Sequence, residues 1–247
     1  MHGWRSQRVS SNILDHGHLI VSCSLGPQFG SVYEAVPGFR NVFFSNNIDL
    51  RHHAETQGWN FVFLDMFPLS EDVMVSSLQA KWVKFLQFLG ELPGYENVST
   101  ITYHDHKFKV MAEHLEWILA NRSLEHDLLI RETPREKLSI SDEISDAMGQ
   151  ERYVRHMENT ISYLDSLEVA GKMTRSTRIV NTGFIHYRNL LTCRPFADGV
   201  YRACTRLEQP ECQIIWAAHS QMSDIRIQKV PWKMLQPIWK TPNFDDS

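Results

Sequence analysis

The chain has 247 residues, 43% of them hydrophobic and 11% aromatic, enough to bury a full core. A formal net charge of -4 and a pI near 6.3, with no clustered run of Lys and Arg, exclude a nucleic-acid binder, because phosphate neutralisation needs concentrated cations. No stretch reaches the roughly 20 apolar residues that span a bilayer, and no apolar core of a signal peptide follows the charged start, so the expectation is a cytoplasmic protein that meets membranes only peripherally.

Short runs rich in Val, Ile and Phe alternate with longer amphipathic segments, the pattern of an α/β domain with a largely parallel sheet. In chain order, strands are predicted at 18–24, 41–45 and 59–65 (HLIVSCS, NVFFS, WNFVFLD), then at 98–105, 126–132 and 177–188 (VSTITYHD, HDLLIRE, TRIVNTGFIHYR). A helix is predicted over 72–90, stopping at Gly90, and another over 108–122 with Met111, Leu115 and Ile118 on one stripe. A third, polar helical segment, one helix or two, runs from about Ser139 to Ala170, and SISDEI supplies its capping box, either with Ser139 preceding Asp142 or with Ser141 opening the helix. The end of the chain carries tryptophans at 216, 232 and 239 and prolines at 231, 237 and 242, and reads as an extended tail that packs by its aromatics. No linker or repeat divides the chain, so one domain over 1–247 is expected. Cys23, Cys193, Cys204 and Cys212 form no CxxC pair and read as reduced, mostly buried thiols.

Ligands of an open α/β sheet sit at the carboxyl ends of its strands. That rule selects Ser24 and Leu25, Asn46 and Asn47, the His104–Lys107 turn and the stretch from Glu132 to Arg135. Asn46 and Asn47 either cap and turn the chain or read a nucleobase edge or ribose with their amides. Lys81 and Lys84 share a helix face among Trp82, Val83, Phe85 and Leu86; they either snorkel to solvent or point into a cleft, where a diphosphate would serve as their anion. Asp105, at the tip of a central strand, can bind a hard cation or accept hydrogen bonds from a sugar hydroxyl. His104 and His106 flank it, but alternation puts them on the other face unless the strand ends at Asp105. His-x-His alone is too little for a zinc site. Glu132, Asp142 and Glu143 either cap helices or act as a base on an acceptor hydroxyl. His186 and His219 are further acid, base or phosphate-contact candidates.

Taken in order, the stretches VSCSLGPQFGSVYEAVPG, NVFFSNN, QGWNFVFLD, AKWVKFLQFLGELPGYENVSTITYHD and RETPREKLSISDEI, followed by NTGFIHYRN and PECQIIWAA, resemble a family of GT-A-fold glycosyltransferases found in bacterial polysaccharide gene clusters and in plants. The resemblance covers roughly residues 18–231. It implies a GT-A-like α/β fold with a mixed, mostly parallel sheet, a nucleotide-sugar half over about 18–107, an acceptor half over about 108–231 and a tail at 232–247. It implies transfer of a sugar from a nucleotide-sugar donor to a glycan or lipid-linked acceptor. Donor-side positions would be Ser24, Leu25, Asn46, Asn47, Lys81, Lys84, His104 and Lys107, with Asp105, Glu143 and His186 catalytic. Acceptor-side positions would be Arg135, Asn181, Gln213 and His219, Gln213 standing where the family often has an Asp-Gln pair.

The family's DXD motif supplies two carboxylates, whereas Asp105 is followed by His106 and Lys107. Two arrangements remain open: Mn²⁺ or Mg²⁺ on Asp105 and His106, or no metal and a lysine (Lys81, Lys84 or Lys107) neutralising the diphosphate. The metal is the expectation carried forward. The two competing readings are a metal-dependent phosphohydrolase, prompted by His104-Asp105, and a non-catalytic nucleotide-sugar or glycan-binding module, prompted by the incomplete DXD.

Overall fold

In a computed structural model that describes residues 17–28, 32–120, 125–133, 138–231 and 239–240, β1 (His18–Cys23) and β2 (Arg40–Ser45) are near-continuous apolar runs because both of their faces are covered. The chain continues through α1 (Leu50–Thr56), β3 (Asn60–Phe63), α2 (Val73–Lys84), α3 (Phe88–Glu91), β4 (Thr100–His104), β5 (Phe108–Lys109), α4 (Ala112–Ala120) and β6 (Leu128–Glu132). It then forms α5 (Ile140–Met148), α6 (Glu151–Val154), α7 (Met157–Val169), β7 (Val180–Tyr187), α8 (Leu190–Arg206), α9 (Cys212–Gln221), β8 (Ile227–Val230) and β9 (Trp239–Lys240).

Seven strands make one sheet in the order β3-β2-β1-β4-β7-β6-β8. All are parallel except β7, which runs antiparallel to both β4 and β6. The mixed, mostly parallel α/β sheet implied by the resemblance is the one observed. Strand order reverses between β1 and β4, and the carboxyl ends of the strands at such a switch point are where an open α/β sheet binds ligands. One face of the sheet packs on α2, α8 and α9 through Tyr103, Trp82, Val83 and Trp216; the other packs Ile20, Phe43, Trp59 and Phe184 against α1 and α4.

All six strands read from the sequence are present within a few residues of their expected ends. The helix expected over 72–90 is instead two. α2 stops at Lys84 because Leu86 turns left-handed (φ 64°), with Gln87 N–H donating to the Trp82 carbonyl at 2.9 Å and Leu86 N–H to that of Val83 at 3.1 Å. This is the helix-ending arrangement usually built on glycine; here the fully covered Leu86 side chain offsets the backbone cost. The expected helix over 108–122 is likewise shortened, since Phe108 and Lys109 pair with β9 and helix begins only at Ala112. The polar stretch 139–170 is three helices, and its capping box is present: Ser139 Oγ accepts from Asp142 N–H while Asp142 accepts from Ser139 N–H at 2.8 Å. The extended-tail reading is corrected before residue 231: Trp216 lies fully buried inside α9, and β8 completes the sheet as an edge strand. All four cysteines are free and buried. Among the described residues no helix is long and apolar enough to cross a membrane.

Candidate functional site

At the carboxyl end of β4 the chain turns sharply. Asp105 N–H donates to the Gly183 carbonyl at 2.9 Å, and the Asp105 carbonyl accepts from Phe108 N–H at 2.9 Å. The strand therefore ends beside Asp105, whose side chain leaves on the same face as Tyr103. Tyr103 Oη donates to Asp105 Oδ1 at 2.7 Å. The ammonium of Lys84 lies 3.1 Å from the same oxygen; the Lys84 side chain is 5% exposed and that of Asp105 22%. Lys84 also lies over the Tyr103 ring, 5.2 Å from its centre.

α2 is aimed here from both ends. Asp72 caps its start by accepting from Met74 N–H at 2.8 Å, and Tyr187 Oη donates to the Lys84 carbonyl at 2.9 Å at its finish. Between them Lys81 and Lys84, three residues apart, both turn inward and are buried. α9 closes the far side: its first residue, Cys212, places Sγ 4.0 Å from Lys84 Nζ and 3.3 Å from Thr182 Oγ1. Gln213 follows and donates to Glu143 Oε1 at 3.0 Å, so two side chains picked out separately in the sequence meet. Glu211, the N-cap, accepts from Gln213 N–H at 3.0 Å.

The electrostatics follow from this crowding. Burial, the largest influence on Asp105, works to raise its pKa; Lys84, Lys107, the Tyr103 hydroxyl and Lys81 together outweigh it and leave the carboxyl below its ordinary range. Burial works to discharge Lys81, and Cys212, Asp105 and Glu211 around it prevail, so its pKa stands above the ordinary lysine value. Arg131 on β6, fully buried with its guanidinium 5.1 Å from the centre of the Phe108 ring, is lowered by burial to about 10 and remains a cation at neutral pH, with Asp105 supporting the charge. Lys81, Lys84 and Lys107 all act on Asp105, and Asp105 and Glu211 act on Lys81, so acidic and basic groups are interleaved in this cluster. Burial pushes the Cys23 thiol up to about 12, so it stays protonated and inert.

Gly183 makes the approach possible. A Cβ there would lie 2.3 Å from Phe108, 2.8 Å from Asp105 Oδ2 and 2.9 Å from Asn181 Oδ1. Asn181 therefore borders Asp105, with its Oδ1 accepting from Gly183 N–H at 2.9 Å.

The other expected site residues are placed differently. Ser24 and Leu25 follow β1, with the Ser24 carbonyl accepting from Ser45 Oγ at 2.6 Å. Asn46 is spent on structure: its Oδ1 accepts from Gly26 N–H at 2.9 Å and its Nδ2 donates to Pro68 at 3.0 Å and Gln79 at 3.2 Å. Asn47 Nδ2 donates to the Pro27 carbonyl at 3.4 Å and its Oδ1 accepts from Asp49 N–H at 3.1 Å, so both amides hold turns, while Asp49 itself makes no side-chain cap bond to α1. His104 points to the opposite face from Asp105, its ring 5.7 Å from that of Trp59, and burial lowers it to about 4. The geometry thus separates the His104-Asp105 pair that prompted the phosphohydrolase reading. His106 turns its Nδ1 to the Cys23 carbonyl at 3.1 Å. His186 is buried near the end of β7 beside Thr102 (2.9 Å) and His18, on the face away from Asp105. His219 pairs with Tyr163 Oη at 3.1 Å near the far end of α9, seven residues beyond Cys212. Arg135 lies outside the described residues. Arg131 went unnoticed in the sequence because a charge inside an apolar strand run gives no local sign of which face it takes.

A divalent cation does not suit this donor set. Hard cations take six or more oxygen ligands, and among the described residues no three His, Cys, Asp or Glu side chains gather to hold one. Oδ1 of Asp105 is already engaged by an ammonium and a phenol. A dication about 4 Å from Lys84 would meet repulsion of ~8 kcal/mol at an effective dielectric of about 20.

No known family profile and no curated protein matches the sequence. Solved structures similar to the chain include mouse xyloside xylosyltransferase 1, at 9% identity and TM-score 0.46 over 86% of this chain and 84% of that one. A 4-diphosphocytidyl-2C-methyl-D-erythritolsynthase from Anaerococcus prevotii is similar at 10% identity and TM-score 0.43, over 90% of each chain. Core-mannan synthase A from Aspergillus fumigatus, in a Mn/GDP form, is similar at 9% identity and TM-score 0.45, over 86% of this chain and 72% of that one. So loose a likeness transfers no residue role.

Proposed function

We propose that the chain is a glycosyltransferase that takes a sugar from a nucleotide-diphosphate donor and passes it to a glycan or lipid-linked saccharide. The observation that carries this reading is the buried Lys81–Lys84–Asp105 cluster beside the carboxyl ends of β1 and β4, which sets two lysines on one helix face next to one carboxylate. A diphosphate is an anion that two neighbouring ammoniums suit. As the bond between the sugar's anomeric carbon and the diphosphate breaks, negative charge grows on the leaving oxygen, and fixed, largely buried cations stabilise it. Lys84 and Lys81 are those cations. Asp105 keeps Lys84 aimed through Oδ1, and its other oxygen, beside Gly183 and Asn181, accepts from a hydroxyl of the transferred sugar.

Glu143 is the base that takes the acceptor's proton in this scheme. Support comes from its bond to Gln213, the neighbour in sequence of Cys212, which itself touches Lys84. The donor half supplies Lys81, Lys84 and Asp105; the acceptor half supplies Glu143, Asn181 and Gln213. His104, His186 and His219 have no part in the step.

Calorimetry with a panel of nucleotide sugars, followed by donor hydrolysis and transfer assays, tests the proposal. At least one donor binds and is turned over, and Asp105→Asn lowers turnover by about 100-fold or more, the size of effect expected for a group acting on transition-state charge. Donor binding with no turnover under any acceptor would favour the binding module instead.

A further inference from the structure

We infer that this protein binds the diphosphate of its donor without a divalent cation, the Lys81 and Lys84 ammoniums supplying in fixed form the charge that a bound metal would otherwise bring. The inference rests on the donor-site reading above and departs from the Mn²⁺ or Mg²⁺ expected from the sequence resemblance.

Three independent features carry it. First, the position where a second acid would complete Asp-x-Asp holds Lys107, whose charge acts on Asp105, so the motif itself has exchanged a metal ligand for a cation. Second, the remaining carboxylate is satisfied from within: Lys84 at 3.1 Å and Tyr103 Oη at 2.7 Å share Oδ1. A metal taking that oxygen would have to expel an ammonium that is only 5% exposed. Third, Lys81 is held in its charged form although buried, because Cys212, Asp105 and Glu211 surround it.

Two charges three residues apart on one helix face can both turn to a single anion. The helix is fixed at both ends by Asp72 and Tyr187, so neither lysine has to be ordered when the anion arrives. An ammonium is a point charge with three donors, not a six-coordinate template. It therefore tolerates some freedom in the diphosphate torsion that a metal chelate would remove.

The experiment is calorimetry on the wild-type protein with UDP and with GDP, each in excess EDTA and again in excess Mn²⁺, with uridine and guanosine as controls lacking phosphate. The expected result is that at least one diphosphate binds in EDTA with an affinity within about threefold of that in Mn²⁺, and that Lys84→Met weakens it by about tenfold or more, a loss of ~1.4 kcal/mol. Mn²⁺ added alone should leave its free-ion EPR signal unchanged in the presence of the protein. Binding of a nucleotide only in Mn²⁺, or a Mn²⁺ site lost in Asp105→Asn, overturns the metal-free inference and leaves the donor reading standing. Binding of neither nucleotide in either condition overturns both.

Discussion

The Lys84 ammonium stands 3.1 Å from Oδ1 of Asp105, joining the last turn of α2 to the end of β4 across 21 residues of sequence. Neither group is solvated well enough to stand alone. Lys84→Met leaves a largely buried carboxylate without its charge partner and lowers stability by ~3 kcal/mol. The double variant Lys84→Met/Asp105→Asn recovers a good part of that loss, since it removes both charges. Urea unfolding of the four proteins in a double-mutant cycle reads the coupling; additive losses would show that the pair is not coupled in the fold.

Gly183→Ala introduces a Cβ 2.3 Å from Phe108 and 2.8 Å from Asp105 Oδ2. Both neighbours have to move, and overpacking of this kind costs about 1–3 kcal/mol. Donor turnover falls further than stability does, because the displaced atom belongs to the site. Thermal melts set beside hydrolysis rates check the disproportion.

At the opposite edge of the sheet, Asp127 joins β6 to β8 and α8. Its carboxylate accepts from Arg226 Nη2 at 2.9 Å, Arg226 Nε at 3.1 Å, Arg226 N–H at 3.0 Å and Asn189 Nδ2 at 3.1 Å, and the Arg226 bonds chiefly hold its pKa down at about 2. Asp127→Ala lowers stability by ~3 kcal/mol, near the smaller end for a broken buried pair because Arg226 can return to water. The melting temperature falls by roughly 6–12 °C. Donor affinity measured by calorimetry stays at the wild-type value.

Acid acts on the fold through His104. Burial lowers it to about 4, whereas the unfolded chain takes up this proton near 6.5. Between those values the unfolded state binds more protons, so stability is full above pH 6.5 and declines as pH drops toward 4, by up to ~3 kcal/mol. His219, lowered to about 4 chiefly by burial, acts in the same direction and less strongly because it is partly exposed. Below pH 4 the carboxylates Asp105 and Asp127, whose folded values are depressed, withdraw their contribution in turn. Urea midpoints from pH 7 to pH 4 trace the slope, and His104→Gln flattens it; an unchanged slope in that variant would assign the acid response elsewhere.

The sequence by itself determined the fold class, because a buried strand and an amphipathic helix each write their periodicity locally. It marked the capping box of α5 for the same reason, leaving Ser139 or Ser141 as its first residue, and it directed attention to Lys81, Lys84 and Asp105. It misjudged the end of α2, where Leu86 occupies a position that glycine usually marks, since the core contact that holds Leu86 there comes from distant residues. It also passed over α8, α9 and β8. Only the tertiary structure decided which polar side chains share a face. His104 and Asp105 are adjacent in sequence and separated by the pleat, while Glu143 and Gln213, 70 residues apart, share a hydrogen bond. That the Lys84 ammonium meets Asp105 was likewise decided by packing, because the charges around a buried group depend on everything the fold brings within a few ångströms, and sequence order carries no record of that distance.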